Sequence, residues 1–144
     1  MPLEVTVERV ERDLILELRA RVLSSPGTRV AALSGDLSAT TRHWAAWLGD
    51  AMVGCVSVMR LRGWALRGMV VSAEHQRQGI GERLLQAVYA EVDGPIWCNA
   101  RLQAVSFYSH LGWVEVGPVF CMGDQIPHQR MTWTTVDTAV AGQR

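Results

Sequence analysis

Lysine is absent from this 144-residue sequence; all 14 basic side chains are arginine. That absence excludes a lysine Schiff base and the lysine of a P-loop. Basic runs are also missing, and 14 acidic residues bring the formal charge to zero, which argues against nucleic acid as the main partner. Cysteine is scarce. Cys55, Cys98 and Cys121 are odd in number, widely spaced and free of any Cys-x-x-Cys pair. They read as small buried apolar residues rather than a disulfide framework or a metal site. No apolar stretch is long enough to span a bilayer, and the N-terminus, M-P-L-E-V-T-V-E-R-V-E-R-D, has no apolar signal core. The expectation is a cytoplasmic protein with no membrane partner.

What remains is the composition of a globular chain, 49% hydrophobic and 19% charged. With no repeat, linker or composition shift, residues 1–144 read as one α/β domain with a core over about 3–135. Leu3–Val7 alternates as a half-buried strand does, and Asp13 is placed to cap a helix carrying Leu14, Leu18 and Val22. Residues 26–42 are polar and turn-rich, a loop or short irregular helix. Strands are expected at His43–Leu48 and Met52–Met59 around Gly49-Asp50, then at Trp64–Val71. A short strand, Ile96–Cys98, precedes a helix carrying Ala104, Phe107, Tyr108 and Leu111, which Gly112 stops. Strands around Trp113–Val116 and Arg130–Thr135 close the fold, and the tail after Asp137 reads as frayed. The six tryptophans, at 44, 47, 64, 97, 113 and 133, fall mostly on these strands and read as core or sheet-face residues.

The stretch from Trp64 to Val88 carries the chemistry. An apolar run, Met69-Val70-Val71, ends at a turn and leads into Gln76-Arg77-Gln78-Gly79-Ile80-Gly81. A helical pattern follows at once, with Ile80, Leu84, Leu85 and Val88 on one face. A strand that feeds a glycine-flanked helix start leaves several backbone N–H groups aimed at one spot, with the positive end of the helix dipole behind them. Such a site holds phosphate without a metal or a lysine.

A lone G-x-G also serves ordinary tight turns. Here it stands with Gln76-x-x-Gly79-x-Gly81, and with Ala104-x-x-x-Tyr108 followed by Gly112-Trp113. Together these resemble the GNAT superfamily of N-acetyltransferases, and the order of elements from residue 3 to 135 suits that fold. Asn99-Ala100-Arg101, Phe107-Tyr108 and Ile126-Pro127-His128 suggest a subgroup within it. The resemblance implies a mixed central sheet of six to seven strands with flanking helices, and a splayed strand pair holding acetyl-CoA as acetyl donor.

Residue by residue, it implies that the backbone of Gln78, Gly79, Ile80 and Gly81, with Arg77 nearby, cradles the CoA pyrophosphate. Gln76 adds a side-chain hydrogen bond. Met69, Val70 and Val71 would pair with the pantetheine arm like one more strand, an amide near Val70 or Val71 facing the thioester. Phe107 and Asn99 belong to the same cofactor-binding set. Arg101 stands where many members carry a pantetheine-binding Asn, and it could bind a phosphate or an acidic acceptor group instead. Tyr108 is the catalytic candidate: a phenol of pKa about 10 can donate to a departing thiolate of pKa about 8.5.

The base is not singled out. Trp64–Val71 contains no Asp or Glu. His43 and His128 are acceptor-side candidates because imidazole titrates near neutrality, and a water chain serves equally well. The expected function is transfer of acetyl from acetyl-CoA to an unidentified amine in a ternary complex. A non-catalytic acetyl-CoA sensor or assembly module is the alternative. A nucleotide-binding protein fits less well, since the third glycine of the dinucleotide fingerprint is missing. Strand edges near the C-terminus could pair two copies as a homodimer.

Overall fold

In the computed structural model, residues 4–23, 38–122 and 125–134 are described. Alternation at the start of the chain yields β1 (Val5–Val10), whose Val5 and Val7 turn inward. Helix α1 (Arg12–Leu23) follows; it starts one residue before Asp13, which therefore sits in the first turn rather than at the cap. β2 (Arg42–Leu48) and β3 (Ala51–Arg60) form a hairpin, and β4 (Trp64–Val71) pairs antiparallel with β3. A 3-10 turn at Ala73–His75 leads to α2 (Ile80–Glu91), then β5 (Ile96–Arg101). A second 3-10 turn, Leu102–Ala104, enters the short α3 (Val105–His110), and β6 (Val114–Cys121) with β7 (Pro127–Trp133) completes the chain. The loop expected between 26 and 42 lies outside the described residues as far as residue 37, and so does the tail after 137.

The seven strands form one open sheet in the order β1-β2-β3-β4-β5-β7-β6. Every neighbouring pair is antiparallel except β4 and β5, which α2 connects as a crossover. The strand period of two assigns each face its helix. On β3, Cys55 packs with Ile15 and Leu18 of α1, while Val56 and Val58 belong to the larger core on the other side. There Ile80, Leu84, Leu85 and Val88 of α2 are fully buried, each contributing roughly 1.5–3 kcal/mol. Gly54 makes that contact close, since a Cβ there would stand 3.1 Å from Leu84 and 3.2 Å from Ile80.

β1 runs on to Val10 and β7 begins at Pro127, three residues beyond expectation in each case, and β5 and β6 also outrun it. β5 continues from Cys98 to Arg101 because Asn99 and Arg101 face away from the main core, while Ala100 stays in it. β6 continues past Val116, through Gly117-Pro118. It is the edge strand, where a missing N–H is tolerated, and its register shifts between Val116 and Phe120. Two of the three cysteines are buried as expected; Cys121 is exposed. No described helix is long and apolar enough to cross a membrane.

The middle of the sheet positions the site. The ladder between β4 and β5 consists of Trp64↔Ile96 and Ala65↔Trp97, and beyond these pairs the strands part. Their foot is clamped: the Trp64 amide donates to the Pro95 carbonyl, Trp64 Nε1 to Asp93 O, and Trp97 Nε1 to Leu61 O, all at 2.8–3.0 Å.

Candidate active site

Where β4 and β5 separate, the structure has a cleft of about 660 Å³ walled by Leu66–Met69 on one side and Trp97–Arg101 on the other. β4 is bulged at its centre. Cys55 pairs with Val70 and Ser57 with Arg67, so Gly68 and Met69 share the place opposite Val56. Gly68 has φ +60, a left-handed conformation natural to glycine. Past the bulge, Ser72 N–H bonds Val53 O, and strand alternation turns the Val71 N–H and C=O the other way, toward the gap. Of the two amides singled out in the sequence, Val71 N–H is the one turned toward the gap, while Val70 faces β3. Gln76 Nε2 donates to that Val71 carbonyl at 3.1 Å, tying the end of β4 to the turn that follows.

The turn has the form of an anion cradle. Arg77 (φ +65) and Gly79 (φ +80) are both left-handed. No side chain caps α2, and the first intrahelical bond from beyond the cap is Arg83 N–H to Gly79 O. The amides of Ile80, Gly81 and Glu82 are therefore left over at the positive end of the helix. Space above Gly79 is open: a Cβ there meets nothing within 4 Å. Gly81 is different, because a Cβ would stand 2.8 Å from Phe107 Cζ. Phe107 thus packs on the first turn of α2, and its ring meets Tyr108 edge-on at 5.1 Å.

Tyr108 reaches the cleft wall from α3 while being only 5% exposed. Its ring leans on Trp113 at 5.0 Å, and its hydroxyl bonds the Cys98 thiol. Burial drives the Tyr108 pKa well above 10, and the neighbouring Cys98 and Tyr89 push the same way. Burial also pushes the Cys98 thiol up to about 12, against a smaller opposing pull from the Tyr108 hydrogen bond and the Arg130 charge. Both groups are neutral at physiological pH.

The other face of β5 carries a different set. Arg101 pairs across with His128, and Asn99 with Arg130. Asn99 Oδ1 accepts from Arg130 Nε at 3.1 Å, and the Arg130 guanidinium lies 4.4 Å over the Trp97 ring. His128 lines the cleft, and its Nδ1 lies 2.7 Å from Ile126 O. A carbonyl can only accept, so Nδ1 carries the proton and neutral His128 keeps a lone pair on Nε2. His43 is not brought to the cleft. It is buried on β2 with Nδ1 2.6 Å from Ser57 Oγ, which also accepts from Arg19 Nη2 at 2.8 Å.

Sequence reasoning did not pick out Gly68, Arg19 or Arg130. An isolated glycine inside the expected strand Trp64–Val71 is a common mark of a bulge, and it was available. Nothing local marks Arg19 as fully buried, or Arg130 as a neighbour of Asn99.

Known proteins agree with this architecture. Residues 20–135 match the family model described as an acetyltransferase (GNAT) domain. Over 80 residues the chain is 30% identical to the Uncharacterized N-acetyltransferase YsnE of Bacillus subtilis (strain 168), and the match spans about half of each protein, 53%. Among solved structures, Escherichia coli ElaA is similar with a TM-score of 0.75 at 18% identity, over 90% of this chain and 99% of that one. An aminoglycoside 6'-N-acetyltransferase complexed with coenzyme A is similar with a TM-score of 0.71 at 17% identity, over 91% and 97%. The splayed strand pair, the glycine-led helix start and the family match together make this chain a member of the GNAT acetyltransferase domain family of acyltransferases.

Proposed function

We propose that this protein is an N-acetyltransferase that moves an acetyl group from acetyl-CoA to an amine by direct attack within a ternary complex. The observation that carries the reading is the cleft opened by the parting of β4 and β5, with an uncapped helix start near one end and the Tyr108 hydroxyl in its wall. Acetyl-CoA supplies the acetyl group as a thioester, together with a pyrophosphate and an amide-bearing arm. The residues fit such a molecule. Arg77, Gln78, Gly79, Ile80 and Gly81 would hold the pyrophosphate in the open space above Gly79. The gap-facing Val71 backbone would pair with the arm as a missing strand would, beside Met69.

Tyr108 donates a hydrogen bond to the departing sulfur. Its raised pKa does not disqualify it, because the burial that raises it acts on any thiol placed beside Cys98 in the same sense. Cys98 itself, neutral up to about 12, is a poor nucleophile, which favours direct transfer over an acyl-enzyme.

His128 takes the proton from the acceptor amine. Among the described residues that line the cleft, the titratable groups are Arg67, Cys98, Arg101, Tyr108 and His128. Of these, the two guanidiniums have no lone pair to offer and the thiol and phenol are buried neutral, so the His128 imidazole is the group that can accept a proton. Its Nε2 lone pair is free to do so, since Nδ1–H is committed to Ile126 O. Tyr108 and His128 approach from opposite faces of the sheet, so the two proton movements do not compete for one place.

Two measurements test the reading. Coenzyme A should raise the melting temperature while ATP and NAD do not, and free thiol should be released from acetyl-CoA in the presence of a suitable amine. Stabilisation by ATP or NAD instead would point to a nucleotide site; CoA binding without thiol release across an amine panel would leave a binding module.

A further inference from the structure

The described wall of the cleft contains Arg67 and Arg101 and no Asp or Glu. Carboxylates elsewhere in the described residues are used or placed away from it. Glu91 bonds Arg9 and the Trp44 indole, and Glu74 and Glu82 are exposed beside the α2 start. On the face of β5 and β7 that carries His128, cross-strand pairing places Arg101 beside His128 and Arg130 beside Asn99.

Arg130 stands just outside the lining of the cleft, on the same face of β7 as His128. Its Nε is committed to Asn99 Oδ1 and its plane rests on Trp97, both of them cleft residues. Among the described residues, its two terminal nitrogens reach no acceptor. A guanidinium fixed by its face and its Nε is a fork with its orientation already chosen, the arrangement that recognises a carboxylate in two-point fashion. Trp97 serves as the platform for that fork, and the Arg62 guanidinium lies 5.8 Å from its ring as well.

Resting on the transferase reading above, we infer that the acceptor is a small amine bearing its own carboxylate, of amino-acid type, gripped by Arg130 with its amine toward His128. Such a zwitterion brings no net charge to an arginine-lined cleft and satisfies the fork. A polyamine or amino sugar brings several positive charges to the same wall and meets repulsion. A protein N-terminus carries the amine but has an amide where the carboxylate is wanted.

The test compares matched amines: a free amino acid, its methyl ester, its decarboxylated amine, and spermidine, each with acetyl-CoA and thiol release as readout. The amino acid should show a kcat/KM at least tenfold above the other three. R130Q should lower kcat/KM tenfold or more for the amino acid and leave the ester unchanged, with the KM for acetyl-CoA and the stabilisation by CoA unaltered. R130K should recover only part of the loss, because an ammonium cannot offer two parallel donors. Preferential acetylation of the ester or of spermidine would overturn the carboxylate inference while the transferase reading stands. Equal losses for amino acid and ester in R130Q would also overturn it. CoA binding with no thiol release from any amine would overturn both.

Discussion

Replacing Gly68 by alanine tests whether the bulge in β4 depends on the arginine beneath it. A Cβ at this position would stand 2.6 Å from Arg19 Nε and 3.3 Å from its Cζ. The side chain of Arg19 is fully buried and cannot swing into solvent to yield. Two costs add. Holding a non-glycine residue at φ +60 costs roughly 1–2 kcal/mol. Displacing the guanidinium stretches the 2.8 Å bond from Nη2 to Ser57 Oγ, a charge-assisted bond worth about 1.5–3 kcal/mol. Gly68→Ala should therefore lose about 2.5–5 kcal/mol, lowering the melting temperature by roughly 10 °C in a chain of this size. Urea unfolding followed by circular dichroism gives the stability directly. A double-mutant cycle isolates the cause. In an Arg19→Met background Gly68→Ala should keep only its backbone cost, so the pair should be coupled by about 2 kcal/mol. Additivity of the two substitutions to within about 0.5 kcal/mol would refute the argument. So would an alanine variant as stable as the parent.

Tyr108→Phe keeps the ring packing on Phe107 and Trp113 and deletes the hydroxyl; turnover should fall about 100-fold with CoA affinity unchanged, and an unaltered kcat would defeat the donor role. His128→Gln should lower kcat/KM by a similar factor of about 100, whereas His43→Gln, away from the cleft, should leave kcat/KM close to the parent value; the reverse pattern would move the base to His43. Cys55 and Cys98 are both held up to about 12 from an unfolded value of 9.0, so their stabilising effect is complete below pH 9 and is lost as pH rises toward 12. Alkaline unfolding should therefore weaken in a Cys55→Ala/Cys98→Ala variant relative to its own neutral-pH stability. Native thiol titration at pH 8 should accordingly label Cys121 quickly, with the two buried thiols appearing only after unfolding.

The parts of this molecule written in short-range spacing were legible before the structure. α2 follows from the interval between Ile80, Leu84, Leu85 and Val88, and the cradle from the glycines at its start. The β2–β3 hairpin follows from two strand patterns around Gly49-Asp50. Features set by neighbours distant in sequence were not legible. The splay was expected only through the family resemblance, because no local pattern encodes how far β4 and β5 stay paired. His43 and His128 are the same residue type on two strands, and only the register separates a histidine bonded to Ser57 in the interior from one lining the cleft. Arg19 breaks the rule that a charged residue on an amphipathic helix faces water, because Ser57 and the bare backbone at Gly68 give its guanidinium a place inside. The length of β6 was not legible either, since edge position tolerates at Gly117-Pro118 what a central strand would not.

A sheet joined across its middle by two rungs is, mechanically, two plates on a hinge. The tryptophan clamps at Trp64 and Trp97 hold the pivot, and beyond Ala65 and Trp97 the two strands stand apart like the jaws of a peg. Widening those jaws breaks no ladder bond between β4 and β5, because none spans them there. Amide exchange should follow that grain, with each plate protected as its own unit and the two meeting at the pivot. A molecule seated between the jaws would act as a wedge and a strut at once, stiffening the sheet by occupying it.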